Sequence, residues 1–174
     1  MAVDTKKVSG RRRLRFNSID EVWAEAETLA AAPQVMCLGN WSVGQTLKHL
    51  GVAMEGSING TGFKVPLWLR IIGRMYVKRL LLDGPFPTGF QVPQSAAERL
   101  VAPDTTTPAE GLAALRHGIH RLRSETARTS HPVAGPLSIE EWDRFHLRHA
   151  EMHLSFLVPD HTAKPRPAAV EAAR

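Results

Sequence analysis

The sequence predicts an all-α fold, and three observations carry that prediction. Four segments open with a side chain able to cap a helix, followed three residues later by Glu or Gln: Ser18/Glu21, Ser42/Gln45, Thr107/Glu110 and Ser138/Glu141. Each cap leads into apolar residues at helical spacing. No segment alternates apolar and polar residues convincingly enough for a strand. With one additional basic helical segment and a long loop, the pattern indicates a helical bundle. At 174 residues the chain is enough for one domain with a real core and little more.

Residues 1–15 hold Lys6, Lys7, Arg11, Arg12, Arg13 and Arg15 against one acid, Asp4. That excess equals the net charge of the whole chain, +5, so the remaining residues balance. The segment is expected to be a mobile basic leader, with a bundle over 16–158 and a disordered Pro- and Ala-rich tail over 159–174. Arg11-Arg12 has the look of a twin-arginine export signal, but the apolar stretch that must follow is missing.

A first helix follows Ser18, with Val22, Trp23, Ala26, Leu29 and Ala30 as its apolar stripe, and Pro33 ends it. A second begins at Ser42, with Val43, Leu47, Leu50 and Met54 on its core face. His49 lies off that stripe beside Ala53 and Gly56, small residues that let another helix come close. From Pro66 to Leu82 the period is helical, and Arg70, Arg74 and Lys78 form a basic stripe. Residues 83–108 form a long Pro/Gly/Thr-rich loop expected to drape over one end and to help form a site. Thr107-Pro108 opens a helix whose core face is Leu112, Leu115, Ile119 and Leu122, leaving His117 and His120 exposed.

The last helix, from Ser138 to about residue 157, holds the anomaly. Trp142, Phe145, His149, Met152, His153 and Phe156 share one face, with His146 at its edge; Arg144, Arg148 and Glu151 point the other way. An apolar face that must bury itself thus carries imidazoles, and each buried ring needs partners for two nitrogens. His149 and His153, spaced i, i+4, can reach one cation, and zinc wants three or four ligands. His146 is one candidate for the third and His49 another; core histidines bonded to carbonyls are the plainer alternative. The zincin signature is absent, because position 150 is Ala.

Other classes recede. One cysteine, Cys37, excludes an intrachain disulfide and suits a reducing, cytoplasmic setting; it reads as a small buried residue before a turn. No stretch has the length of a membrane span. A neutral folded body without a reading motif speaks against nucleic acid.

Trp41-Ser42-x-Gly44-Gln45-x-x-x-His49-Leu50, followed far downstream by His149-x-x-x-His153-Leu154, resembles the DinB-like (YfiT-like) metalloenzymes. The chain is most similar to a subgroup of unknown activity in which His131-Pro132, Gly135-Pro136 and the Glu141-Trp142 to Phe156 run recur. The resemblance covers about residues 14–158. It implies an antiparallel four-helix bundle in which His49, His149 and His153 hold a divalent ion, usually nickel or zinc, in an open pocket, and it implies dimers. Characterised relatives include thiol transferases that use bacillithiol, mycothiol or glutathione, and a maleylpyruvate isomerase-like branch.

Three readings follow. A small-molecule thiol activated on the ion and transferred to an electrophile is the first, with Trp41, Trp142, Phe145 and the 83–108 loop as pocket walls and Arg70, Arg74 and Lys78 as an anion attractant. The second is a metal-dependent hydrolase or isomerase, weakened because Glu55 is not on the His49 side and no other general base suggests itself. The third is a non-catalytic bundle with a closed metal site, His146 supplying the fourth ligand.

Overall fold

Side-chain caps set the first residue of each long helix in this computed structural model, which describes residues 2–62, 65–66, 68, 78–89 and 100–160. Among these residues are five helices, α1 (Ile19–Ala31), α2 (Val43–Asn59), α3 (Lys78–Asp83), α4 (Pro108–Ser124) and α5 (Ile139–Leu154). Complete capping boxes start α2, α4 and α5, each satisfying two otherwise orphaned amides. At α1 the reciprocal bond shifts by one residue. Ser18 Oγ accepts from the Glu21 amide, but the Glu21 carboxylate takes the Asn17 N–H at 2.8 Å.

One apolar core joins α1, α2, α4 and α5 through Val22, Ala26 and Leu29, Leu47, Leu50 and Met54, Leu115, Ile119 and Leu122, and Leu147, Ala150 and Leu154. Burying each of the larger side chains contributes about 1.5–3 kcal/mol. The predicted core faces of α1, α2 and α4 are therefore largely right. That of α5 is not. Its core face is Leu147, Ala150 and Leu154; the aromatic and histidine stripe lies beside it and faces a cavity. Trp142 and Phe145 belong to a second, smaller apolar cluster with Leu81, Leu82 and Ala134.

Among the described helices α2 and α4 make the most extensive contact, and glycine explains their close approach. A Cβ on Gly51 would stand 2.5 Å from the Ala114 carbonyl oxygen, and one on Gly118 2.7 Å from that of Gly51. One turn-pair earlier, a Cβ on Gly44 would meet the Thr106 carbonyl and one on Gly111 that of Gly44. Gly44 thus faces Gly111 and Gly51 faces Gly118, so the two helices run parallel. The expected all-antiparallel order is corrected accordingly. Asp20 meets Arg123, setting α1 against α4, and His49 meets His149 and His153, setting α2 against α5. Four packed helices in up, down, down, up order remain compatible with a four-helix bundle.

Two strands also correct the all-helical expectation. β1 (Val35–Cys37) pairs antiparallel with β2 (Leu157–Pro159). Asp160 N–H extends the ladder to Gln34 O at 2.9 Å. α5 therefore stops at Leu154, earlier than predicted, and Ser155 and Phe156 turn the chain into β2. Cys37 sits on this ribbon and is exposed, not buried.

The leader was expected to be mobile, yet residues 2–15 are tied to the bundle. Arg12 N–H bonds Ser155 O at 3.0 Å, and its guanidinium meets Glu25. Arg11 donates to Ser155 Oγ at 2.7 Å and lies over the Phe156 ring. Arg15 reaches toward Glu151 at 3.7 Å. The same packing covers part of the side of α5 opposite the histidine stripe: Arg148, 4 % exposed, donates to Phe16 O and pairs with Glu151 at 3.0 Å. Backbone carbonyls and acids, invisible as partners in the sequence, absorb the charge that suggested solvation.

Of the predicted basic helix, Lys78–Asp83 is described as α3, while Arg70 and Arg74 lie outside the described residues. Lys78 pairs with Glu141 at 2.8 Å. The 90–99 part of the long loop and the 161–174 tail also lie outside the described residues. No helix among those described is long and apolar enough to cross a membrane.

Candidate metal centre

α2 and α5, antiparallel, bring His49 opposite His149 and His153. The Nε2 atoms of His49 and His149 are 3.3 Å apart, and those of His153 and His149 2.9 Å. One ligand atom from each ring lies within 4.8 Å of the other two. Imidazole nitrogens bound to one zinc at about 2.0–2.1 Å stand roughly 2.8–3.4 Å apart for angles between octahedral and tetrahedral. Both observed separations fall within that range.

Hydrogen-bond accounting gives the same answer. His49 Nδ1 is 2.6 Å from the Leu100 carbonyl, which can only accept, so Nδ1 carries the proton and Nε2 presents a lone pair. His149 Nε2 faces two ring nitrogens and can donate to one at most. Its Nδ1 is buried with no partner among the described residues. Three ring nitrogens share at most two protons among them, and any lone pairs turned on one another repel; a shared cation would turn that repulsion into coordination. The residues present fit a divalent ion.

Burial lowers the pKa of His49, and the bond to Leu100 opposes it. His149 and His153 are held well below the ordinary imidazole value, first by burial and then by neighbouring positive groups: other imidazoles for both, and Arg11 also for His153. All three are neutral at pH 7, the form in which a ring binds metal.

Aromatic rings fix the imidazole planes. Trp41 stacks on His153 with centroids 5.1 Å apart and planes 6° from parallel, and lies 4.7 Å from His49. Phe86 and Phe145 pack on His149 at 5.1 and 5.6 Å. The three histidines open onto a cavity of about 1200 Å³ whose walls include Trp41, Phe86, Leu100, His131, Trp142 and Phe145. Trp41, Trp142, Phe145 and the described parts of the 83–108 loop thus line it, as the sequence predicts. Residues 2–6 line it as well, a contribution the leader's composition gave no hint of.

His146, weighed as a further ligand, stays out, and Glu55, expected to lie off the His49 side, is engaged elsewhere. His146, 1 % exposed, lies against Trp142 with Nε2 unpaired among the described residues and is not part of the three-histidine cluster. Glu55 meets Arg121 at 3.7 Å. Among the described residues no carboxylate joins the cluster, leaving three nitrogen ligands and an open side.

The family described as a protein of unknown function (DUF1569) matches residues 8–160, most of the chain. The chain belongs to the DUF1569 family. The match takes in all three histidines, the Leu100 carbonyl and most of the leader. No curated protein and no solved structure matches this DUF1569 chain.

Proposed function

We propose that this DUF1569 protein is a divalent-metal-dependent enzyme in which His49, His149 and His153 hold zinc or nickel and a low-molecular-weight thiol is activated for transfer to an electrophile. The observation that carries it is the trio of Nε2 atoms, 2.9 and 3.3 Å apart along two edges and open to a large cavity. Three neutral ligands leave the ion its full charge, which lowers the pKa of a bound thiol or water toward neutrality and polarises carbonyls.

The chain's own part is to bind and shield. Trp41, Phe86, Trp142 and Phe145 exclude water and offer flat apolar surface to the electrophile. In the transfer the sulfur lone pair forms the new S–C bond. The displaced pair leaves with the leaving group or, on conjugate addition, reaches a carbonyl oxygen, which takes up the thiol's proton. The resemblance to DinB-like thiol transferases and the four-helix arrangement support this reading, as does a single exposed cysteine in favour of a cytoplasmic setting.

Hydrolysis is the second reading, because the same cation acidifies water. The carboxylates beside α2 and α5 are engaged elsewhere, Glu55 with Arg121 and Glu151 with Arg148, which weighs against a general base. Nickel- or cobalt-substituted protein titrated with small thiols separates the readings. A thiolate-to-metal absorption band is expected; a spectrum that ignores thiols but responds to hydrolysable esters would favour hydrolysis. Indifference to every small ligand would leave a structural metal site.

A further inference from the structure

His131 lies on the cavity wall, away from the three-histidine cluster, in a five-residue turn built around its own ring. Its backbone exchanges both hydrogen bonds with Gly135, at 2.9 and 3.0 Å. Gly135 closes the turn at φ 76°, a conformation that suits glycine. Inside this ring of backbone, His131 Nδ1 accepts from the amides of Val133 at 3.1 Å and Ala134 at 2.9 Å. A nitrogen that accepts two N–H bonds carries no proton. The remaining proton of the neutral ring therefore sits on Nε2. Burial pushes His131 down to about 4, so the ring is neutral at pH 7.

The imidazole is wedged between Trp142 and Phe145, with centroids 5.6 and 5.0 Å away. Phe145 also packs on His149 at 5.6 Å. His131 and His149 thus both pack against one aromatic ring. From these contacts we infer that His131 is a substrate-binding residue, whose Nε2–H donates to an acceptor at the far end of a flat, apolar ligand lying across Phe145 with its other end at the three histidines. The substrate class is a conjugated or aromatic molecule with two electron-rich ends, one for the cation and one, a carbonyl-type oxygen, for the neutral imidazole. Only a donor fixed in tautomer and position discriminates at that end; a ligand lacking the oxygen leaves Nε2–H unpaired.

This inference rests on the thiol reading for the choice of probe, and the experiment separates the two. Zinc-loaded full-length protein, selectively labelled at histidine nitrogens, is titrated with 4-mercaptoacetophenone and, as its acceptor-free counterpart, 4-ethylthiophenol. In the free protein His131 is expected to show a protonated Nε2 and a bare Nδ1; a protonated Nδ1 overturns the inference. The Nε2–H resonance should move downfield with the acetyl probe and not with the ethyl one. This readout needs no variant. In His131→Phe the acetyl probe should bind about five- to tenfold more weakly while the ethyl probe is unchanged. His131→Gln, which can both accept from the turn amides and donate, should keep most of the affinity.

A histidine that merely braces its turn would give the same tautomer but no response to the acetyl group, and equal losses for both probes, or none for either, overturn the inference. A His131-dependent difference read by calorimetry without any thiolate band on cobalt-substituted protein upholds it and removes thiol activation. A band with both thiols and no difference does the reverse. No binding of either probe removes both.

Discussion

His149 is held by rings on every side and by hydrogen bonds on almost none. Its Nε2 confronts two other ring nitrogens, and its Nδ1 is buried with no partner among the described residues. Removing a neighbouring ligand should therefore be felt as lost metal, not lost fold. His49→Ala is expected to lower zinc or nickel affinity by two orders of magnitude or more, with the far-ultraviolet circular dichroism unchanged. Metal analysis of untagged protein checks this, and full metal retention would exclude His49 as a ligand. Acid should act on the metal-free protein through two other imidazoles. Burial lowers His131 to about 4 and His146 to about 3, whereas both titrate near 6.5 when unfolded. Below about 6.5 the unfolded chain binds the extra protons, so stability rises with pH and falls on acidification. His131's share is lost by about pH 4 and that of His146 by about pH 3. Urea midpoints that fall between pH 7 and 4.5 are expected, and a flat profile would mean that one or both rings are solvated.

At the scale of elements, the parallel seam between α2 and α4 governs the site more than any single contact within it. Gly51→Ala forces a methyl group against the Ala114 carbonyl, which belongs to backbone and cannot rotate away. The cost should be about 1–3 kcal/mol, or roughly 2–4 °C in Tm for each kcal/mol. Thermal unfolding measures it. Because His49 is two residues from Gly51, metal affinity should fall with stability; an unchanged Tm would mean that the helices separate freely. The caps were legible from four residues each, since their hydrogen bonds are local. The seam was not, because Gly44, Gly51, Gly111 and Gly118 acquire meaning only once two distant segments are set in register. β1 and β2, three residues each, are too short to show alternation. On α5 the aromatic and histidine stripe outweighed Leu147, Ala150 and Leu154, so the cavity face was read as the core face. That His49, His149 and His153 come together was legible; the Leu100 carbonyl that orients one of them could not be, since every residue has a carbonyl.

For the whole molecule, the leader changes the meaning of the charge. Arg11, Arg12 and Arg15 are engaged with Ser155, Glu25 and Glu151, and Lys7 with Asp4, so four of the leader's six bases already have partners within the protein. Val3 and Asn40 bond each other through both main-chain groups of Val3, at 2.6 and 2.9 Å, laying the segment across the cavity rim. A variant lacking residues 2–10 keeps Arg11 and every metal ligand but loses this rim. It should retain its metal and release small cavity ligands several-fold faster by stopped-flow, with little change in Tm. Unaltered release would show that the rim does not hinder exit.

Because α2 and α4 point the same way, the chain must travel back the length of a 17-residue helix, about 25 Å, between Gly60 and Thr107. Phe86 and Leu100, both on that return path, reach the histidines. The architecture thus separates two inheritances: the helices supply the three clustered histidines, and Phe86 and Leu100 on the return path supply part of the cavity wall. Exchanging residues 86–89 for a different sequence should alter which guests are admitted while metal affinity is unchanged.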